Sequence, residues 1–272
     1  IHRRQIKIIH ILQFSVQQWP AAFNLPVTSY TTMHGMWPSR TGSDETSYPC
    51  TCTTEAFDPT KLTSLKADMD KYWPSLESAN PPFWTHEWTK HGTCAGLPSQ
   101  VQFFNTTLAW RKLIDAVTVL KDAGITPGMS VEASKINDAF KKSIGVTALL
   151  GCGRTSNEIQ TFSFCIDHNA QKLIECDSSV KTGAGGVVSC DLSKDLLFSK
   201  GGTGPSPGPS PGPSPGPSPS GDRCVEGAHG PVCKSDSDCS SYPHCVRCAH
   251  SGFCTEDPKN GTQPVKAWFS KE

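Results

Sequence analysis

Six consecutive residues, His86-Glu87-Trp88-Thr89-Lys90-His91, carry two imidazoles, a carboxylate and an ammonium group. An imidazole near pKa 6.5 exchanges protons readily around neutral pH, so two of them in one site can act as an acid and a base. The stretch reads as helical. At about 100° per residue its four ionisable groups project from one side, with Glu87 and His91 at i,i+4 and His86 above Lys90. Trp84 and Trp88, also at i,i+4, supply an aromatic seam to bury. Gly92 is the expected C-cap, and Cys94 can pin that end of the helix covalently. Groups of both signs packed this densely are costly to hold together, which points to a site.

Zinc is one alternative, because His-Glu-x-x-His places two ligands at i,i+4. Here the i+4 residue is Lys90, a poor ligand while protonated, and His91 is out of phase. A surface helix with chance charges is the other alternative. Against both stands a second histidine motif upstream, Thr32-Met33-His34-Gly35-Met36-Trp37-Pro38-Ser39. A lone histidine is most often a satisfied core residue. Paired with the helical motif, His34 becomes a catalytic candidate.

These two motifs, Thr32 to Ser39 and Phe83-Trp84-x-His86-Glu87-Trp88-x-Lys90-His91-Gly92-x-Cys94, resemble the paired signatures of the ribonuclease T2 family. The resemblance runs over most of residues 5–198. It implies an α+β fold with an antiparallel sheet and helices, and metal-independent cleavage of single-stranded RNA without a cofactor. RNA brings its own nucleophile, the 2′-hydroxyl. Cleavage needs a base for that proton, an acid for the departing 5′-oxygen, and cations for the charge on phosphorus. The resemblance makes His91 the base and His34 the acid, with a 2′,3′-cyclic phosphate as product. Exchange of the two roles would alter no residue. Lys90 then stabilises phosphate charge, Glu87 holds a histidine and polarises the phosphate, and His86 binds phosphate. Gln18, Leu76 and Phe83 align with base-pocket positions, although a Gln merely solvated at a strand end is an equal reading of Gln18. Trp37 is either a base-stacking platform or a core aromatic. Ser75 stands where plant members can carry a pocket residue, so base preference does not transfer.

The positioning elements follow from pattern. Gln5 to Trp19 reads as a long buried strand, Thr31 to Pro38 as a strand ending in a turn, and Ile159 to Ile166 as another strand. Pro59 to Trp73, Val101 to Asp122 and Val131 to Ile144 read as helices, the last two separated by Gly124-Ile125-Thr126-Pro127-Gly128. The resemblance implies the disulfides Cys52–Cys94, Cys165–Cys176 and Cys152–Cys190, which leaves Cys50 without a partner. The cysteine pair that the family often carries just after Trp19-Pro20 is absent. Asn105 heads a glycosylation sequon.

The whole chain has 272 residues, 13 cysteines and a net charge of zero. That is room for one domain of residues 1–198 plus a smaller module. Neutrality leaves an RNA strand to be held by local cations. The cysteines indicate an oxidising compartment, hence a secreted or vacuolar protein. No run approaches the roughly 18 apolar residues of a membrane span. Ile1-His2-Arg3-Arg4 opens almost directly into a strand, as expected of a chain beginning after, or within, a removed leader. A monomer is expected.

Residues 199–221 form a Gly-Pro-Ser-Pro spacer with nothing to bury, extended to at most roughly 60 Å at about 3.1 Å per residue. Beyond it, six cysteines crowd residues 222–272 among few apolar side chains, so disulfides must hold that module. Their spacing resembles the knottin carboxypeptidase inhibitors of nightshade plants, which implies Cys224–Cys245, Cys233–Cys248 and Cys239–Cys254. Those inhibitors end soon after the last cysteine. Here Thr255 to Glu272 continues, with a second sequon at Asn260, so a structural or carbohydrate- or protein-binding module stays open. Two rival readings for the whole chain are a defence, storage or protease-inhibitor-like protein acting through this module, and a recognition ribonuclease whose surface a partner reads.

Overall fold

A computed structural model describes residues 11–40, 51–76, 79–177 and 187–201, together with a short strand pair at 247–248 and 254–255. Cys50, Asn260, most of the spacer, and the three bridges expected of the C-terminal module lie outside the described residues. So do residues 5–10 of the expected first strand.

The architecture is α+β. Strand β1 (Ile11–Gln18) lies between β2 (Thr32–Arg40) and β5 (Ile159–Ile166), and β4 (Leu149–Cys152) and β7 (Val188–Ser189) extend the sheet beyond β5. The pairings within this sheet are antiparallel, and β6 (Leu173–Ile174) continues along β5 on the side of β4. A separate ribbon joins β3 (Met129–Glu132) to β8 (Asp195–Phe198). The remaining pair, β9 (Arg247–Cys248) and β10 (Cys254–Thr255), sets Cys248 opposite Cys254.

β1 alternates apolar and polar residues yet is buried on both faces. Leu12, Phe14 and Val16 form a small cluster with Trp37 and Cys165 on one side. Gln13, Ser15 and Gln17 are equally buried on the other, where they face the helices. Burial without partners would cost about 1–3 kcal/mol per group. Gln13 Nε2 accordingly donates to the Ala95 carbonyl (3.1 Å), and Gln17 Nε2 to that of Ile114 (2.7 Å). The polar face of the central strand thus ties the helical layer to the sheet. The main core lies between them and includes Met33, Met36, Trp73, Phe103, Phe104, Phe162 and Phe164.

Three expected helices differ in detail. The run from Pro59 begins as a 3-10 segment (Pro59–Leu65), capped by Asp58 accepting from Thr60 N, before α1 (Lys66–Tyr72). The run from Val101 is two helices, α3 (Gln100–Leu113) and α4 (Ala116–Asp122). No Gly or Pro marks the break. It occurs because Ile114 is extended and buried with its carbonyl held by Gln17, while Asp115 caps α4 at Val117 N. The run from Val131 starts as β3, claimed by pairing with β8, and turns helical only as α5 (Ala133–Ile144). There Gly145, at φ +82°, takes the left-handed cap. Cys52 is bonded to Cys94, Cys152 to Cys190 and Cys165 to Cys176. Among the described residues no helix is long and apolar enough to cross a membrane.

Candidate active site

The site forms where helix α2 (Asn80–Lys90) meets the edge strand β2. Pro81 and Pro82 suit the first turn of α2, where backbone N–H groups need no partner. Trp84 and Trp88 are buried against the core, and their indoles donate to the Trp73 carbonyl (2.7 Å) and the Glu55 carbonyl (2.9 Å). That fixes the rotation of the helix, and Glu87 turns towards β2.

The C-terminal end of α2 is held differently from the expected glycine cap. His91 is the cap residue, in right-handed geometry, and the chain runs on into a 3-10 turn (Gly92–Cys94). Gly92 is there for room: a Cβ would overlap Trp88 and come within 2.9 Å of Phe103. Thr51 N donates to the Lys90 carbonyl (3.1 Å), Cys52 N donates to Thr93 Oγ1 (3.0 Å), and the Cys52–Cys94 bond closes the end.

β2 brings the other histidine through an irregularity in its pairing. Gln17 lies opposite Met33 and Val16 opposite Gly35, so His34 is an extra residue with no partner on β1. Such a bulge re-aims side chains. Met33 and Met36, three residues apart, consequently both point into the core. Gly35 and Trp37 share the opposite face and meet Glu87. A Cβ on Gly35 would overlap Glu87 Oε2 and Trp37 Nε1, so the close approach requires glycine.

Trp37 is the hub. It is buried, its indole donates to Glu87 Oε2 (2.8 Å), and its ring centroid lies 4.8 Å from that of His34 and 5.1 Å from that of His91. A ring so enclosed has little face left for a base. Glu87 Oε1 is 3.9 Å from His34 Nε2. Burial raises the Glu87 carboxyl to about 8, against the opposing pull of the Trp37 hydrogen bond and the Lys90 charge. Burial also holds His91 well below its ordinary value, and the charges of Lys90, His86 and His34 push the same way. His91 is therefore neutral, as a base must be. His34, with 18% of its side chain exposed, is the more accessible imidazole.

His86 lies 6.2 Å from His91 ring to ring, and the half-buried Phe83 lies 5.9 Å from His34. Gln18 is buried at the end of β1 opposite Thr32, and Leu76 sits half-buried in the loop before α2. Neither enters the ring contacts or hydrogen bonds of this cluster. Trp73 had no sequence signal, yet its indole donates to the His34 carbonyl (2.7 Å) and anchors the bulge. Donor atoms of His86, Glu87 and His91 lie within 4.8 Å of one another, close enough for a cation. The ammonium of Lys90 beside His91 and a carboxyl that stays protonated to about pH 8 both oppose one.

Two imidazoles, a buried carboxyl and a lysine are thus gathered on an antiparallel sheet backed by helices. The model of the ribonuclease T2 family matches residues 10–176. Ribonuclease 1 of Arabidopsis thaliana is 31% identical over 184 residues, spanning 60% of this chain and 78% of that protein. A ribonuclease-like storage protein of Panax ginseng is 29% identical over 180 residues, 61% of this chain and 74% of its own. The crystal structure of RNase NT in complex with 5′-AMP superposes with a TM-score of 0.57 at 27% identity, covering 66% of this chain and 98% of its own. The chain belongs to the ribonuclease T2 family and is an endoribonuclease.

Proposed function

We propose that the protein cleaves single-stranded RNA by transphosphorylation, with His91 as base and His34 as acid. The observation that carries this reading is the placement of both imidazoles against the one Trp37 ring, with Glu87 between helix and strand. His91, held neutral by burial, takes the proton of the 2′-hydroxyl, and the 2′-oxygen forms a bond to phosphorus. The P–O5′ bond breaks, and His34 delivers a proton to the leaving 5′-oxygen. A 2′,3′-cyclic phosphate and a free 5′-hydroxyl result, and a water molecule can later open the ring by the same two groups in reversed roles. Lys90 and His86 meet the charge on the non-bridging oxygens. Glu87 orients His34 and, carrying its proton, can donate a hydrogen bond to phosphate. Phe83 beside His34, with Gln18 and Leu76, contributes to a base pocket, a reading supported by the similarity to RNase NT, which is in complex with 5′-AMP. No step calls for a metal or cofactor.

The three disulfides support an oxidising compartment, secreted or vacuolar. The kinship with a ribonuclease-like storage protein keeps a second reading, in which the C-terminal module or mere accumulation matters more than turnover. Incubation of the pure protein with defined dinucleotides in EDTA separates them. Cyclic phosphate ends are expected, and His34→Ala or His91→Ala should each lose at least about 10² in rate. Abolition by the chelator, or full activity in either variant, would overturn the mechanism.

A further inference from the structure

Beside the catalytic cluster lies a second group of side chains that the cleavage chemistry does not use. Tyr30 and Tyr72 pack edge to face, with centroids 5.4 Å apart, and both are partly exposed. Three cations surround them. Lys71 Nζ lies 4.8 Å from the Tyr72 ring and 5.7 Å from Tyr30. Lys112 Nζ lies 5.7 Å from Tyr72. The Arg111 guanidinium sits beneath both rings, at 5.7 and 5.3 Å.

Arg111 is 2% exposed. Its Nε donates to the Thr31 carbonyl (2.6 Å), its Nη2 is 3.5 Å from Asp115, and Nη2 has no hydrogen-bond acceptor. A charge so placed acts through its field, since low-dielectric surroundings screen it poorly. Asp68, at 2.6 Å, offsets Lys112. Three cations against two carboxylates leave one positive charge in excess, directed through two phenol rings towards solvent, on a chain that is neutral overall.

The position matters as much as the charge. Tyr72 directly precedes Trp73, whose indole holds the His34 carbonyl. Tyr30 is four residues ahead of His34, hence within about 14 Å of it at 3.6 Å per residue. We propose that Tyr30, Lys71, Tyr72 and Lys112, backed by Arg111, bind a phosphate of the single-stranded RNA outside the scissile step. The phenol hydroxyls and two ammonium groups donate to the phosphate oxygens. The ring faces are taken up by the cations, so the site reads backbone charge and not base identity. This rests on the RNA-cleaving reading above.

The test uses the full chain carrying Lys71→Ala and Lys112→Ala together, both exposed, with kcat/KM measured on a dinucleotide and on a single-stranded decamer. Dinucleotide cleavage should stay within about twofold, because no catalytic group is touched. Decamer cleavage at low salt should fall by about three- to tenfold. The slope of log kcat/KM against log salt should become shallower by about 0.7 to 1.4, the change for one or two contacts on a single strand. Lys135→Ala, a distant exposed lysine paired with Glu132, serves as the charge control and should change neither substrate. Equal loss on both substrates, no loss on the decamer, or the same loss in the control would each overturn the proposal. If the unaltered protein cleaves no RNA, fluorescence anisotropy of a labelled decamer decides. Weaker, salt-shallower binding by the double variant upholds the subsite, and unchanged binding overturns it.

Discussion

At the residue scale, the site depends on one carboxyl held where water is excluded. Glu87 moves from 4.5 in the unfolded chain to about 8 in the fold because burial penalises its charge. A raised pKa means that the folded protein binds this proton more tightly. The resulting stability is complete below about pH 4.5 and is lost as pH rises through about 8. Glu87→Gln keeps a neutral amide throughout, so its stability should gain on the unaltered protein across that window, by at most about 1.4 kcal/mol per pH unit. Thermal unfolding at several pH values checks this, and a constant difference would show that folding leaves the Glu87 carboxyl unshifted. In dinucleotide kinetics the same variant should lose less than His91→Ala, because it removes orientation without removing a proton-transfer group. Gly35→Ala acts from the strand side. Its methyl group overlaps Glu87 Oε2 and Trp37 Nε1, so the hydrogen-bonded carboxyl and indole must shift. A cost of about 1–3 kcal/mol in stability is expected, with activity falling further than stability alone explains. Wild-type kcat in that variant would mean that the Glu87 position is not critical.

At the element scale, helix α2 is fixed at its two ends by different means. Its start is set by Asn80 accepting from Ser75 N, and its rotation by the two tryptophan indoles. Its end is set by residues 51–52, through the Lys90 carbonyl and the Cys52–Cys94 bond. Since His91 is the cap, any loosening of that end moves the proposed base directly. The paired substitution Cys52→Ala with Cys94→Ala opens a loop of 42 residues and should cost about 2–4 kcal/mol. It should also reduce kcat at temperatures well below the new Tm. A variant with lowered Tm and undiminished kcat would show that the bond stabilises without positioning. The β2 bulge plays the matching part for His34. It is anchored by Trp73 from the helical side, so the two histidines are positioned by independent devices that meet at Trp37.

At the scale of the whole molecule, every proposed catalytic group lies between residues 34 and 91. The domain that carries them nevertheless closes late in the chain. Trp19 Nε1 donates to the Ser199 carbonyl (2.7 Å), and Leu196 and Phe198 of β8 are fully buried. Truncation after Lys200 keeps all of these and should leave dinucleotide cleavage within about twofold. Truncation after Lys194 removes them and should unfold the domain. A nuclease crippled by truncation after Lys200 would show that the spacer or the C-terminal module contributes to the site.

Much of the chemistry was legible in sequence because it is local. Four ionisable groups within six residues announce a site whatever the fold, and the resemblance of the two motifs added His34 and the family. The aromatic seam of Trp84 and Trp88 was equally plain, since helical periodicity alone puts both on one face. What could not be read depends on contacts distant in the chain. Trp37 and Glu87 are 50 residues apart, and only their hydrogen bond makes Trp37 the carboxyl's holder. The break after Leu113 answers to Gln17, 97 residues away from the carbonyl it holds. Gly92 occupies a cap-like position yet serves packing, because Trp88 and Phe103 converge there. Side-chain type and spacing determined which groups could transfer protons. Burial and strand register, which belong to the assembled sheet and helices, decided which of them are neutral and what holds each one in place.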